Sequence, residues 1–309
     1  MAIQEGKIRY SIFDPTGNIT ALVETEVDIP QQPSVAASIM KCHPEVEQVG
    51  FVEFYKETVP ATEAKLGGKL RMAGGEFCGN AAMSAAALYL IRNKISEMTV
   101  SLNVSGASAP VPASLSETAE GTFSAGVLMP PASGIKNGSF SFGGMTGTLP
   151  VVMMEGISHI IIEKDSVFFS LLDDRSAAEL AVREWCAQLG TDGLGLMFLD
   201  HKFDAGPLEY DLTPLVYVPG SSTVFWENSC ASGSAAAGIF IAGKTAAVRD
   251  ISVSTTKLSS SESKIPEAGT TRLPLIAFTE PGGRLCVKSD AAAGKTWLFG
   301  NVRLVNTYY

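Results

Sequence analysis

The sequence predicts an α+β fold made of two similar halves, each a set of β-strands around one apolar helix. Two segments carry this prediction, residues 78–93 and residues 230–244, because each is rich in helix formers and has apolar residues on every side. Such helices are surrounded by protein. Both begin at a cysteine, and the two cysteines lie about half the chain length apart. The pattern indicates a duplicated fold.

Short segments rich in branched and aromatic residues, bounded by Gly, Pro, Asn or Asp, predict the strands. In the first half these are residues 7–13, 19–27, 46–55, 69–72, 98–104 and 122–129, with a short surface helix at 35–41 after two prolines. In the second half they are residues 149–154, 159–163, 194–200, 210–218, 251–255, 273–278 and 284–288, with a helix at 177–189. The helix at 230–244 ends in a Gly-Lys signal, and the Ser-rich segment 255–269 is a polar loop.

Charge and hydropathy argue against two classes of partner. The formal net charge is -9, and no stripe of Lys and Arg reverses it locally, so nucleic acid is not expected as a partner. The longest apolar stretches are shorter than the roughly 20 residues of a transmembrane helix, so no membrane partner is expected. The first residues lack the basic and apolar segments of a signal peptide, which makes the cytoplasm the expected location.

The chain has five cysteines, an odd number that argues against a disulfide framework in a chain without a secretory signal. Reduced thiols are therefore expected, and a cysteine in a special context points to chemistry. Cys42, Cys186 and Cys286 have no such context and are interpreted as structural. Because Cys42 and His43 lack further ligands at a suitable spacing, no metal site is predicted.

The other two cysteines share one sequence design, an acidic residue before the cysteine and small residues after it at the start of an apolar helix. The motifs are GGEFCGN around Cys78 and WENSCASGS around Cys230. The first N–H groups of a helix have no partner within the helix, and the helix dipole is positive there, so each motif can bind an anion and stabilise a thiolate. The alternative is a pair of buried structural cysteines, which pack as small hydrophobes.

Two helix ends that face each other would hold a substrate carboxylate while Cys78 and Cys230 stand on opposite sides of its α-carbon. One cysteine would remove the α-proton as a thiolate, and the other would deliver a proton to the opposite face. Helix amides would oppose the charge of the carbanion, so no cofactor such as pyridoxal is required. The residues predicted to bind the substrate at these helix ends are Gly79, Asn80, Ala231, Ser232 and Gly233.

Glu76 and Glu227, which precede the two cysteines, are further candidates. They either position the thiols, or hold the substrate ammonium, or only cap the helix N-termini, where a carboxylate is equally favourable.

The motifs FCGNA and SCASG, with DPTGNITALV near the start, resemble the diaminopimelate epimerase fold family of cofactor-independent racemases and epimerases. The resemblance extends from Asp14 to about Gly300. It implies two pseudo-symmetric lobes, each a β barrel around a central helix, with one cysteine from each lobe in the cleft between them. The implied lobes are residues 1–135, joined by a returning strand at 298–309, and residues 136–297.

The resemblance also implies roles for two further residues. Asn18 matches the substrate-binding Gly-Asn segment of the family. His159, in the segment GISH, matches the family's active-site histidine, although a lone histidine in a strand is also typical of a core residue.

The chain departs from true diaminopimelate epimerases where those enzymes hold the distal end of their substrate with a Glu-Arg pair and an Asn. The corresponding residues here are Ser221, Ser222 and Ile157. A second charged end would therefore enter unpaired, at a cost on the order of several kcal/mol. The strings EQVGFVE, GGEFCGNAAMS and PLVYVPGSSTVFWENSCASGSAAAGIF, with DPTGNITALV, resemble the histidine racemases of opine-type metallophore synthesis, which implies histidine as the substrate.

Other functions stay open at this point. Some relatives with paired cysteines shift a double bond in unsaturated carboxylic acids by allylic proton transfer, and an epimerase-like enzyme for another amino acid is also compatible. An amino-acid-binding protein that keeps only the cleft, and a redox protein with a Cys78–Cys230 disulfide, are the remaining alternatives. The expected partner is a small amino acid, and assembly into a homodimer stays open.

Overall fold

The structure is a computed structural model that describes residues 8–59, 65–206, 208–256, 273–290 and 292–309. Its α-helices are α1 (Gln32–Cys42), α2 (Gly79–Asn93), α3 (Arg175–Leu189) and α4 (Ala231–Thr256). Its strands are β1 (Tyr10–Pro15), β2 (Thr20–Val23), β3 (Gln48–Val59), β4 (Lys65–Met72), β5 (Glu97–Val104), β6 (Val111–Ala119), β7 (Thr122–Met129), β8 (Gly134–Phe142), β9 (Met145–Met154), β10 (Ile157–Glu163), β11 (Leu194–His201), β12 (Glu209–Val218), β13 (Thr223–Trp226), β14 (Ile276–Glu280), β15 (Gly283–Asp290) and β16 (Lys295–Tyr308).

The first seven strands and the last one form a closed barrel in the N-terminal half. Strands β1 to β7 are neighbours in chain order, and β16 pairs with β7 on one side and with β1 on the other. Helix α2 lies inside this ring and contacts all eight strands. Its residues from Gly79 to Leu90 are buried, which explains why the sequence of this helix has no polar face.

The C-terminal half continues the same sheet beyond β16, in the order β15, β14, β12, β11, β10, β9 and β8, with β13 paired to β12. Helix α4 contacts β15, β16, β11, β10 and β9, whereas α3 packs against β11 and β12. Alternate residues of β11 point to different sides, because Met197 joins the core around α4 and Leu196 joins the core that contains Trp185 of α3. Within the described residues β8 pairs only with β9, so this sheet curves around α4 without closing.

The two halves repeat the same order of parallel connections. Helix α1 joins the parallel pair β2 and β3, and α3 joins the parallel pair β10 and β11. Helix α2 joins the parallel pair β4 and β5, and α4 joins the parallel pair β12 and β14. The predicted α+β fold with two pseudo-symmetric lobes around central helices is confirmed. The exact division at residues 135 and 297 stays a prediction, since β16 hydrogen-bonds to strands of both halves.

Some predicted elements were wrong. The helix expected to end at Lys244 continues to Thr256, and the strand expected at residues 251–255 is its last part. Gly243 lies in the helix interior, where glycine costs only about 1 kcal/mol relative to alanine. Strands β6, β8 and β13 were missed because Pro112, two glycines and a length of four residues weaken their patterns.

Two remaining expectations concern the membrane and the polar loop. None of the helices formed by the described residues is long and apolar enough to cross a bilayer. The polar loop expected at 255–269 lies outside the described residues from position 257 onward.

Candidate active site

The two central helices meet end to end between the halves. Gly79 begins α2 and Ala231 begins α4, and a Cβ atom placed on Gly79 would lie 2.9 Å from the Cβ atom of Ala231. The side-chain amide of Asn80 donates a hydrogen bond of 3.3 Å to the carbonyl oxygen of Ser229. The two cysteine motifs, remote in sequence, therefore lie together, as the duplicated fold predicts.

Each cysteine sits at the start of its helix and receives an amide hydrogen. The Cys78 sulfur accepts the N–H of Ala81 at 3.4 Å, and the Cys230 sulfur accepts the N–H of Gly233 at 3.4 Å. These contacts are those of helix N-caps, and the positive end of each helix dipole favours negative charge on the sulfur. The predicted position of both cysteines at helix starts is confirmed.

Glu227 is the carboxylate that acts on both thiols. It forms a side-chain hydrogen bond with Cys230, and its charge adds to burial, the main cause, in raising the pKa of Cys230 and of Cys78. Burial raises the pKa of Glu227 itself to about 7, and the nearby charge of Glu47 adds to this shift. Glu47 in turn accepts a hydrogen bond of 2.6 Å from the side chain of Asn228.

Burial is the main influence on both thiols. It raises the pKa of Cys78 to about 12, while the Ala81 amide and the Gln48 side chain act in the opposite direction. Burial also raises the pKa of Cys230 well above its usual range, and Glu227 and Glu280 raise it further. A thiolate formed in these surroundings is scarce but strongly basic, which suits the removal of a weakly acidic proton from carbon.

An amide network joins the N-terminal barrel to the segment before Cys230. The Asn18 amide donates to the carbonyl oxygen of Ser229 at 3.0 Å, beside the bond from Asn80. Gln48 donates to the Asn18 side-chain oxygen and, at 3.0 Å, to the hydroxyl of Thr20. The Asn80 side-chain oxygen is buried and has no partner among the described residues, so it can accept a donor from a bound molecule.

His159 and Glu76 form no hydrogen bond with either sulfur among those found in the described residues. His159 is fully buried on β10, burial lowers its pKa to about 3, and neither ring nitrogen has a partner within the described structure. Its ring packs beside Met197, and Met197 packs against Gly233 near Cys230. Glu76 is exposed and contributes only a charge that raises the pKa of Cys78.

Sequence reasoning assigned no role to three residues of this site, Glu47, Gln48 and Glu280. The first two lie in the string EQVGFVE, in which Glu47 precedes β3 and Gln48 begins it. Glu280 carried a clearer signal, because it ends the strand IAFTE in phase with Ile276 and Phe278, both buried. A carboxylate at a core position of an alternating strand needs buried partners.

The described residues offer no second reactive centre near this one. They contain no group of three or more His, Cys, Asp or Glu side chains that could hold a metal ion. A separate cavity of about 650 Å³ opens on the C-terminal half, and its wall includes Lys164, His201 and Tyr210. None of the residues discussed above belongs to that wall.

The fold is shared with several proteins of known structure. A PhzF-family phenazine biosynthesis protein from Bacillus anthracis superposes with a TM-score of 0.58 at 10% identity, over 97% of this chain and 98% of that one. A probable proline racemase from Agrobacterium radiobacter gives 0.58 at 11% identity, over 98% and 92%. A methylitaconate-delta-isomerase gives 0.54 at 10% identity, over 98% and 94%. These likenesses establish the fold.

Fold and relatives together define an isomerase of the racemase class. Residues 7–256 match the family described as the histidine racemase CntK N-terminal domain, and the chain belongs to this family. A histidine racemase from Staphylococcus aureus is 29% identical over 238 residues, 75% of this chain and 79% of its own. A histidine racemase from Fusobacterium nucleatum is 29% identical over 249 residues, 77% and 83% of the two chains.

Proposed function

We propose that this enzyme racemises histidine by moving protons between the α-carbon and two cysteines, Cys78 and Cys230, without a cofactor. The observation that carries the proposal is the meeting of two helix N-termini, each with a cysteine, around one shared carboxylate, Glu227. Each sulfur belongs to a different half of the fold, which is the arrangement needed to reach opposite faces of one carbon atom.

The substrate carboxylate is proposed to bind the free amides of the two helix starts. The N–H groups of Gly79 and Asn80 on α2, and of Ala231 and Ser232 on α4, have no acceptor within their own helix. The N–H of Gly233 already donates to the Cys230 sulfur. Positive helix ends at the carboxylate stabilise the negative charge that spreads onto it when the α-proton leaves.

The proton transfer balances as a one-for-one exchange. A thiolate takes the α-proton, the C–H bond breaks, and its electron pair stays on the α-carbon and carboxylate. The opposite thiol then gives its proton to the other face of the carbon, and the enzyme is left with the two sulfurs in exchanged protonation states. The reverse reaction uses the same groups in opposite roles.

The presence of two carboxylates, Glu227 and Glu47, favours a substrate with a basic side chain. Glu227 lies beside both sulfurs, where the substrate ammonium would be found, and Glu47 lies close enough to affect the charge of Glu227. Glu47 can therefore accept an N–H from an imidazole ring, and the histidine racemases related to this chain point to the same amino acid. Ile157, which packs against the core, supplies no polar group for a second carboxylate end.

Incubation with L-histidine in heavy water tests the proposal. We expect deuterium at the α-carbon together with D-histidine, measured by proton NMR and chiral chromatography, and the other L-amino acids should react more slowly. Cys78→Ser and Cys230→Ser should each lower the rate by about 100-fold or more. Cys42→Ser is the matched control, because Cys42 is an exposed free thiol at the end of α1. Full turnover by either serine variant would end the proposal.

The same assay separates the other interpretations. An allylic isomerase would leave histidine unchanged and shift the double bond of an unsaturated acid, a reaction named for one fold neighbour at 10% identity. A binding protein would retain histidine without deuterium exchange. A redox protein would be active with the Cys78–Cys230 disulfide, whereas a racemase would be inactivated by that bond.

A further inference from the structure

Glu280 holds the first turn of α4 from a distant part of the chain. It ends β14, is only 4% exposed, and accepts the N–H of Cys230 at 2.7 Å. Its other oxygen accepts the hydroxyl of Ser234. One carboxylate therefore binds two donors in the helix turn that carries the Cys230 sulfur, in addition to the cap formed by the sulfur itself.

The turn that follows Glu280 contacts both halves of the site. Gly282 donates its N–H to the carbonyl oxygen of Asn228 at 2.7 Å. Gly17 of the N-terminal barrel, with a φ of +91°, packs so closely that a Cβ atom on it would overlap the Cα atom of Gly282. Glu280 and the turn that follows it are thus packed against the barrel that carries Cys78.

The two sulfurs share the charge of Glu227 but differ in their other neighbours. Cys78 also feels the charge of Glu76, and a hydrogen bond with the Gln48 side chain opposes both charges by favouring its thiolate. Cys230 faces two carboxylates, Glu227 from the preceding segment and Glu280 from β14, together with the Ser232 hydroxyl at 3.6 Å on its own helix. Ionised carboxylates can only accept a hydrogen bond, so they favour the protonated sulfur.

We propose that Glu280 is a positioning residue that fixes the first turn of α4 and keeps Cys230 as the thiol, which leaves Cys78 as the sulfur that forms the thiolate of the reacting pair. The inference rests on the proposed function only for the catalytic role of the two cysteines. Burial raises the pKa of Glu280 to about 8, below that of the thiol. The carboxylate is therefore ionised over the range in which Cys230 loses its proton.

Glu280→Gln separates charge from position, because the glutamine oxygen can still accept the Cys230 N–H. The ultraviolet absorbance of the Cys230 thiolate is titrated in a Cys78→Ser background, with the Cys78→Ser/Cys230→Ser protein subtracted to remove the other thiols. Loss of the negative charge favours the thiolate, so we expect E280Q to lower the pKa of Cys230 by about 1 to 3 units. The control is Thr279→Ala, an exposed neighbour on the same strand, which should leave the titration unchanged.

Activity in the otherwise native enzyme tests the positioning role. Glu280→Ala removes both acceptors and should lower kcat by at least about tenfold with a smaller effect on KM, because small displacements of a catalytic group are costly. E280Q should recover part of that loss. The proposal is overturned if E280Q leaves the Cys230 titration unchanged, a result that does not depend on E280A folding. If E280Q lowers the pKa of Cys230 as expected but the wild-type protein racemises no amino acid, the proposed function is rejected and the effect of Glu280 on Cys230 stands.

Discussion

Gly79 and Ala231, the first residues of two helices related by the duplication, are in contact across the boundary between the halves. A Cβ atom on Gly79 would lie 2.9 Å from the Cβ atom of Ala231 and 3.0 Å from the sulfur of Met129. Only glycine allows this approach without a shift of one helix. Since each cysteine directly precedes its helix, this contact brings the backbones of Cys78 and Cys230 close together.

Gly79→Ala should therefore damage catalysis more than folding. We expect kcat to fall by at least about tenfold, since the added methyl group pushes the helix ends apart, and the free energy of unfolding to fall by about 1 to 3 kcal/mol. Steady-state kinetics and urea unfolding measure the two effects. Gly243→Ala is the matched control, because a Cβ atom there meets no atom within 4 Å and alanine is the better helix former. Normal kcat in G79A would contradict this role.

Asn18 joins the two halves through its bond to the Ser229 carbonyl. Asn18→Asp keeps the size of the side chain but replaces the donating amide group with a carboxylate oxygen, which then faces the carbonyl oxygen of Ser229. The lost bond should lower the free energy of unfolding by about 1 to 3 kcal/mol and reduce turnover, because Cys230 follows Ser229 directly. Asn137→Asp, at an exposed position of β8, is the control. Wild-type unfolding and turnover in N18D would show that the bond does not join the halves.

The position of both cysteines could be predicted from sequence because it depends on local signals. Small residues after each cysteine begin an apolar helix, and a helix with no polar face must lie inside a barrel or between sheets. The repeat of this pattern indicated the duplication. The partners of the cysteines depend on tertiary contacts, and no local pattern connects Glu280 to Cys230 across 50 residues.

The failures have equally specific causes. The branched residues near the end of α4 resemble a strand, yet the helix that begins at Ala231 continues through them. Substrate binding by Asn18 and Asn80 stays a prediction, and what sequence reasoning missed is that both side chains donate to the same Ser229 carbonyl. An amide side chain in a sequence gives no sign of whether it will bind a ligand or the backbone of another lobe.

His159 should make the protein less stable in acid. Its pKa is lowered by burial to about 3 in the folded state, whereas an unfolded histidine titrates near 6.5. The unfolded chain therefore binds a proton first, so stability falls as the pH drops from about 6.5 toward 3. The contribution at pH 5 should be about 2 kcal/mol. Urea unfolding of His159→Leu between pH 7 and pH 5 should show a weaker loss than wild type, and parallel curves would contradict the prediction.

Glu227 should control the acid side of the activity profile. Its pKa, raised by burial to about 7, implies that the carboxylate is protonated below this pH and cannot pair with the substrate ammonium. We expect kcat/KM for histidine to rise with pH through about 7 in wild type. In Glu227→Gln the value should be low and this rise should disappear. Glu76→Gln is the control, because Glu76 is exposed and precedes the other cysteine. A rise near pH 7 that persists in E227Q would assign it to a different group.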